Sequence, residues 1–92
     1  MDKTSRVAAF IKAYGPTVCA DAEWDAAYHL RHDEIEYAFE GLVIDLMKAG
    51  VRPSQSDGED WLKLAEDLGL REEGVIDADF WENLKRWIEG VS

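Results

Sequence analysis

Apolar residues recur every three or four positions along most of this 92-residue chain, which is the spacing of an amphipathic α-helix. The first segment shows the pattern at Val7, Phe10, Ile11 and Tyr14, before a Gly-Pro pair ends it. No stretch shows a comparably strong strand pattern. The spacing therefore predicts an all-α fold, in which residues 1–92 form a single small bundle of four to five short helices.

The third predicted helix, DEIEYAFEGLVIDLM from Asp33 to Met47, carries apolar residues on more than one side. One side holds Ile35, Phe39, Leu42 and Leu46, and the opposite side holds Tyr37, Gly41 and Ile44. Two interpretations fit this pattern. The segment is either the central helix of the bundle, covered on several sides, or a helix with one buried face and one face kept for a partner.

Capping rules predict where the helices begin and end. The predicted N-caps are Thr4 or Ser5, Asp21, Asp33, Ser56 and Asp77. Glycines are predicted to end the third and fourth helices, at positions 50 and 69. The predicted second helix carries Trp24, Ala27, Tyr28 and Arg31 on one side. The predicted apolar stripes of the fourth and fifth helices are Trp61, Leu64, Ala65 and Leu68, and Phe80, Leu84, Trp87 and Val91.

Charge constrains the possible partners. Twenty acidic residues outnumber ten basic ones, which gives a formal net charge of −10. Such a field repels nucleic-acid backbones and anionic membranes, so we expect neither as a direct partner. The same field attracts a basic protein and accelerates its association.

The sequence also predicts a location. Cys19 is the single cysteine, which rules out an internal disulfide and fits a reducing compartment. The first fifteen residues do not resemble a signal peptide, and no stretch approaches the ~20 apolar residues of a membrane span. We therefore expect a cytoplasmic protein.

No set of residues predicts catalysis, a metal site or a cofactor. His29, His32, Asp33 and Glu36 are close enough in sequence to hold a metal ion, but the two acids are better explained as cap and capping box. Cys19 has no activating base beside it in the sequence and is expected to be a packed thiol. We therefore expect a protein that is not an enzyme.

Two stretches place aromatic residues directly beside acidic ones, AEWDAAY and DADFWE. Most of these aromatic residues are expected in the core, with Trp24 and Trp81 the most exposed of the four tryptophans. Aromatic anchors with a charged rim are also typical of protein–protein interfaces.

Three later stretches, EYAFEGLVIDLMKAGVRP, DWLKLAEDLGL and GVIDADFWENLKRWIE, give residues 33–89 a resemblance to a known group of proteins. They resemble the small acidic immunity proteins encoded beside secreted bacterial toxins, including contact-dependent inhibition systems. The resemblance implies a protein that binds one cognate toxin, often a nuclease with a basic cleft, and blocks it. It implies no individual functional residue.

The leading hypothesis is a non-enzymatic inhibitor of a basic protein, with a toxin nuclease domain as the partner and occlusion of its substrate-binding site as the mechanism. The predicted contact residues are Glu36, Tyr37, Glu40, Asp57, Glu59, Asp60, Asp77, Asp79 and Glu82. We expect these carboxylates to lie outward, so that replacing Glu40 with lysine slows association without changing stability.

Two alternatives remain open from the sequence. One is a phage-type inhibitor that mimics nucleic acid. The other is a helical dimerisation or adaptor module, in which Tyr37, Gly41 and Ile44 form a self-complementary seam. The sequence allows either a monomer or a homodimer.

Overall fold

Five α-helices occupy the segments in which apolar residues recur at helical spacing. A computed structural model describes residues 2–90, and the predicted core residue Val91 lies outside that range. The helices are α1 (Lys3–Tyr14), α2 (Ala20–Arg31), α3 (Ile35–Lys48), α4 (Gln55–Asp67) and α5 (Phe80–Glu89). A short 3₁₀ turn, Gly15–Thr17, links α1 to α2, and residues 2–90 contain no strand. The predicted all-α bundle is confirmed.

The bundle has two parts that share one core. Helices α1, α2 and α3 pack on one another, while α4 pairs with α5 and also contacts α1. Aromatic rings join the two parts: Phe39 on α3 lies 4.9 Å from Phe10 and 6.4 Å from Phe80, centroid to centroid. The Trp61 ring meets Phe10 edge-on at 5.3 Å. Phe39 and Phe80 are completely buried, so these contacts lie at the centre of the core.

Helix α3 is covered on several sides and also keeps one strip exposed. It is central, because Phe39, Leu42, Val43 and Leu46 are all buried. One strip nevertheless stays open to solvent, since Tyr37 is 41% exposed and Gly41 and Ile44 are only partly covered.

Asp33 ends α2 and does not cap α3, contrary to the sequence prediction. Its φ of +61° is left-handed, and its backbone N–H donates to Leu30 while that of Glu34 donates to His29. This pair of bonds is the Schellman arrangement, which satisfies the last carbonyls of a helix. Gly50 and Gly69 end α3 and α4 with the same bonds, as predicted.

The other predicted N-caps are also displaced by a few residues. Asp2, Cys19 and Ser54 cap α1, α2 and α4 through their side chains, and Asp79 precedes α5 without a side-chain cap bond. Cys19 is exposed, so the expectation of a packed thiol is wrong. Since Ser54 and Ser56 both have an acid three positions later, sequence rules do not separate them.

Helix α2 turns its alanines inward and leaves the side that carries Trp24 and Tyr28 exposed. Its buried residues are the alanines Ala22 and Ala26, whereas Trp24 is 60% exposed and Tyr28 39% exposed. Small side chains let α2 approach α3 closely, and the larger aromatic residues are left outside. Within residues 2–90, every helix is too short or too polar to cross a bilayer.

Candidate functional site

Glu40 is the one predicted contact residue that the structure removes from the surface. Its side chain is completely buried, so the expectation that it faces a partner is wrong. Its carboxylate accepts hydrogen bonds from the backbone N–H groups of Val75, Ile76 and Asp77, at 2.7–2.8 Å. Three successive N–H groups form a concave anion site, and they replace the water that the carboxylate loses on burial. Glu40 therefore holds the α4–α5 connector against α3.

The remaining predicted contact residues fall into two groups, because α4 and α5 run in opposite directions. Gly58, near the start of α4, packs against Ile88, near the end of α5. The Trp87 indole N–H also donates to the Val51 carbonyl, 2.9 Å away, just before α4. The starts of the two helices therefore lie about 15 Å apart, the length of the ten-residue α5.

The first group, Asp57, Glu59 and Asp60, lies at the start of α4 beside the end of α1. Asp57 accepts a 2.7 Å hydrogen bond from the Tyr14 hydroxyl, while Glu59 and Asp60 are exposed. This group lies beside a shallow groove between α1 and α4, bounded at its other end by the Arg6–Asp67 ion pair. The exposed carboxylates of Glu59 and Asp60 are therefore accessible to a partner, whereas that of Asp57 is hydrogen-bonded within the protein.

Tyr14 gives a direct check on this contact. Burial, followed by the hydrogen bond to Asp57 and the charge of Asp57, raises the pKa of the Tyr14 phenol above its usual value of 10.0. As the pH rises above 10, the unfolded chain therefore loses this proton before the folded protein does. The contribution of Tyr14 to the free energy of unfolding falls over this range, up to its pKa in the folded protein. We expect tyrosinate absorbance to show one late-titrating phenol that Tyr14→Phe removes.

The same Tyr14→Phe variant should lose about 0.5–1.5 kcal/mol of unfolding free energy at neutral pH, the net value of one hydrogen bond. Urea denaturation measures this loss. If instead Tyr28→Phe removes the late-titrating phenol, the Tyr14–Asp57 contact does not have the proposed effect.

The second group, Glu36, Tyr37, Asp77, Asp79 and Glu82, lies where α3 meets the start of α5. Glu40 connects the two elements, since it sits one turn after Glu36 and binds the N–H of Asp77. Asp77 itself accepts from the Asp79 N–H and the Asn83 amide, so part of its hydrogen-bonding capacity is used internally. Asp79 and Glu82 are exposed.

An exposed belt of aromatic and aliphatic side chains runs beside this second group. We define it as Trp24, Tyr28, His29, His32, Tyr37, Val75 and Ile76. Within residues 2–90 it contains all five large hydrophobic side chains that are exposed. The rings follow one another: Trp24 stacks on Tyr28 at 5.4 Å, Tyr28 lies 5.5 Å from His29, and His29 lies 4.2 Å from Tyr37.

A groove between α2 and α3 continues the belt from its aromatic part to its aliphatic part. The groove has a volume of about 250 Å³, and Tyr37 and Ile76 both line it. Gly41 leaves the space open, because a Cβ added there meets only the tip of Ile76, at 3.5 Å. An apolar floor, aromatic rings and acidic neighbours together suit contact with another protein better than catalysis on a bound substrate.

Sequence reasoning identified only part of this surface. The sequence predicts Tyr37 as a contact residue, and it indicates an interface role for Trp24 and Tyr28 only through their acidic neighbours. Val75 and Ile76 gave no signal, because an apolar pair in a short connector looks the same whether it is buried or exposed. Their exposure follows from Glu40, which binds their backbone and leaves their side chains outside.

The histidines and acids considered as metal ligands do not converge. In the part of the chain that the structure describes, no three His, Cys, Asp or Glu side chains are placed to hold a metal ion. His29 instead contacts Glu34, with 3.2 Å between Nδ1 and Oε1. His32 packs on Tyr28.

No protein-family model, no curated protein and no solved structure matches this chain.

Proposed function

We propose that this protein is a non-enzymatic binding protein that neutralises a basic partner protein, and that the partner is a bacterial toxin domain with nuclease activity. The single observation that supports it is the exposed belt: five large hydrophobic side chains, collected on one side of a protein with a net charge of −10. An exposed apolar cluster that costs solubility is typically retained for a partner.

The charges around the belt favour a basic partner. Asp25, Glu36 and Asp77 each directly adjoin a belt residue in the sequence. None of the three forms an ion pair within residues 2–90. These carboxylates form a rim around apolar anchors, the usual anatomy of a protein interface. A cationic partner would be steered to this rim and then held by the apolar contacts.

The proposed mechanism is occlusion of the partner's substrate site. A nuclease binds phosphate groups in a basic cleft, and carboxylates on a rigid helical surface can occupy the same positions. The resemblance of residues 33–89 to immunity proteins is what makes a toxin nuclease the proposed partner class. Such an inhibitor acts in the compartment where the toxin acts, which fits the expected cytoplasmic location.

Co-purification at low ionic strength from the source organism, followed by mass spectrometry, tests the partner class. We expect a cationic protein whose gene lies next to the gene for this one, and whose nuclease activity falls to zero at a 1:1 ratio of the purified proteins. Recovery of only acidic or neutral proteins contradicts the proposal, as does a basic protein that keeps its activity when bound.

Truncating the belt should weaken this complex. We expect Trp24→Ala and Tyr37→Ala each to raise Kd about 10–30-fold, mainly through faster dissociation, because aromatic anchors carry a disproportionate share of binding energy. Glu59→Ala, near the start of α4 and outside the belt, is the control and should change the association rate only slightly. Surface plasmon resonance with the purified partner separates the two rates.

Sedimentation of the isolated protein separates this function from a dimerisation module. A second copy carries the same net charge, so electrostatic repulsion opposes pairing through the belt. We expect a monomer at low salt. A tight dimer that Tyr37→Ala dissociates would instead make the belt a self-association surface.

A further inference from the structure

The groove between α2 and α3 has the features of a pocket for one long side chain. Its floor is built from small residues, Ala22 and Ala26 on α2 and Ala38 and Gly41 on α3. These residues leave a cleft of about 250 Å³ that is open to solvent along the belt. An aliphatic stem could lie along this floor and bury its methylene groups there.

The edge of the groove is negatively charged. Asp25 and Asp45 line it from the two helices, and neither side chain makes a hydrogen bond or ion pair with any residue from 2 to 90. Lys48 also lines the groove but lies beyond ion-pair distance of both. The two carboxylates are therefore available to a cationic group from outside.

The other end of the groove is aromatic. Tyr37 and His29 lie with ring centroids 4.2 Å apart, and both line the groove. A planar guanidinium binds carboxylates through several N–H groups and is weakly hydrated, whereas an ammonium is compact and more strongly hydrated. An apolar side chain would leave the two carboxylates without a partner.

We propose that this groove receives one arginine side chain of the basic partner. The inference rests on the proposed function, because it assigns to the partner the residue that enters the belt. The guanidinium reaches Asp25 or Asp45, the alkyl stem lies on the alanine floor, and the Tyr37 ring packs against the stem.

The test uses the full chain and three short probes, so that it does not depend on knowing the partner. Acetyl-Ala-Arg-Ala-amide is titrated into ¹⁵N-labelled protein, alongside the same peptide with citrulline or leucine at the centre. Citrulline has the shape of arginine without its charge. We expect saturable shifts of the Ala38, Gly41 and Ile76 amides with the arginine peptide, at a Kd of about 1 mM, and at least about tenfold weaker binding of the other two.

Two variants locate the probe in the groove. Gly41→Leu fills the space without a backbone clash, since the added Cβ meets only Ile76 Cδ1 at 3.5 Å, and it should abolish the shifts. Asp45→Asn keeps the shape and removes one charge, so it should weaken the arginine peptide several-fold and leave the leucine peptide unchanged. Circular dichroism and a thermal melt verify that both variants are folded.

Three results would overturn the inference. They are equal binding of the citrulline or leucine peptide, shifts confined to the start of α4, and no shift at about ten times the expected Kd. The proposed function fails separately, when no basic protein is bound and inhibited. A partner that is inhibited normally by Gly41→Leu would remove the groove from the interface and leave the proposed function intact.

Discussion

Glu40→Ala is expected to lower the free energy of unfolding by about 3–5 kcal/mol, because it leaves three backbone N–H groups without an acceptor. The carboxylate is completely buried and accepts from Val75, Ile76 and Asp77. Urea denaturation of the variant measures the loss. A small domain has only about 5–15 kcal/mol of stability in total, so this substitution removes a large part of it.

Two further variants separate the causes of this loss. Glu40→Gln keeps the size of the side chain but turns an amide N–H toward a backbone N–H. It should therefore lower the free energy of unfolding by more than about 1 kcal/mol, but by less than Glu40→Ala does. Glu36→Ala removes a carboxylate one turn earlier that has no hydrogen bond within residues 2–90, and should cost less than about 1 kcal/mol. Equal losses for Glu36→Ala and Glu40→Ala would show that the backbone contacts contribute little.

The burial of Glu40 reverses the expectation formed from the sequence for Glu40→Lys. A lysine there cannot accept from the three N–H groups and puts an ammonium in a closed site, so we now expect the variant to unfold. Any loss of partner binding by this variant would report folding and would say nothing about the interface.

Gly74→Ala is the second substitution with a large expected effect, a loss of about 2–3 kcal/mol of unfolding free energy. A Cβ at this position would collide with the Asp77 carbonyl oxygen and would lie 2.8 Å from Glu40 Oε1. The carbonyl belongs to the backbone and cannot rotate away, so the connector itself must shift. Thermal or urea unfolding measures the loss.

Gly41→Ala is the matched control for this prediction. Gly41 is within α3, and its added Cβ has only an ordinary contact at 3.5 Å, so alanine should raise stability by about 0.5–1 kcal/mol through its better helix propensity. Opposite signs for two glycine-to-alanine changes would support the connector geometry. A neutral Gly74→Ala would contradict it.

Both predictions concern the same connector, whose exposed side chains form the aliphatic end of the belt. Val75 is 56% exposed and Ile76 44% exposed while their backbones are held by Glu40. Loosening the connector by either substitution should therefore also disorganise the aliphatic end of the belt. For a binding measurement, Trp24 and Tyr37 are better positions, since substitutions at these exposed residues leave the hydrogen bonds between Glu40 and the connector intact.

The sequence predicted the helices well and their ends less well. Gly50 and Gly69 were correctly identified because a left-handed residue after a helix favours glycine strongly. Asp33 was misassigned because an aspartate suits an N-cap and also tolerates the left-handed conformation it adopts here. The position at which α4 begins depends on contacts of Asp57 with Tyr14 and of Gly58 with Ile88. These residues are far apart in the sequence, so rules based on neighbouring residues do not predict it.

By itself, the sequence determined the helical class, the segments that form helices and the acidic field, because these follow from local spacing and from charge counts. Only the tertiary structure decided which carboxylate is internal and which aromatic residues are external. Glu40 and Glu36 are alike in the sequence, one turn apart on the same helix. They differ because the connector before α5 folds over one of them and supplies the backbone N–H groups that make its burial possible.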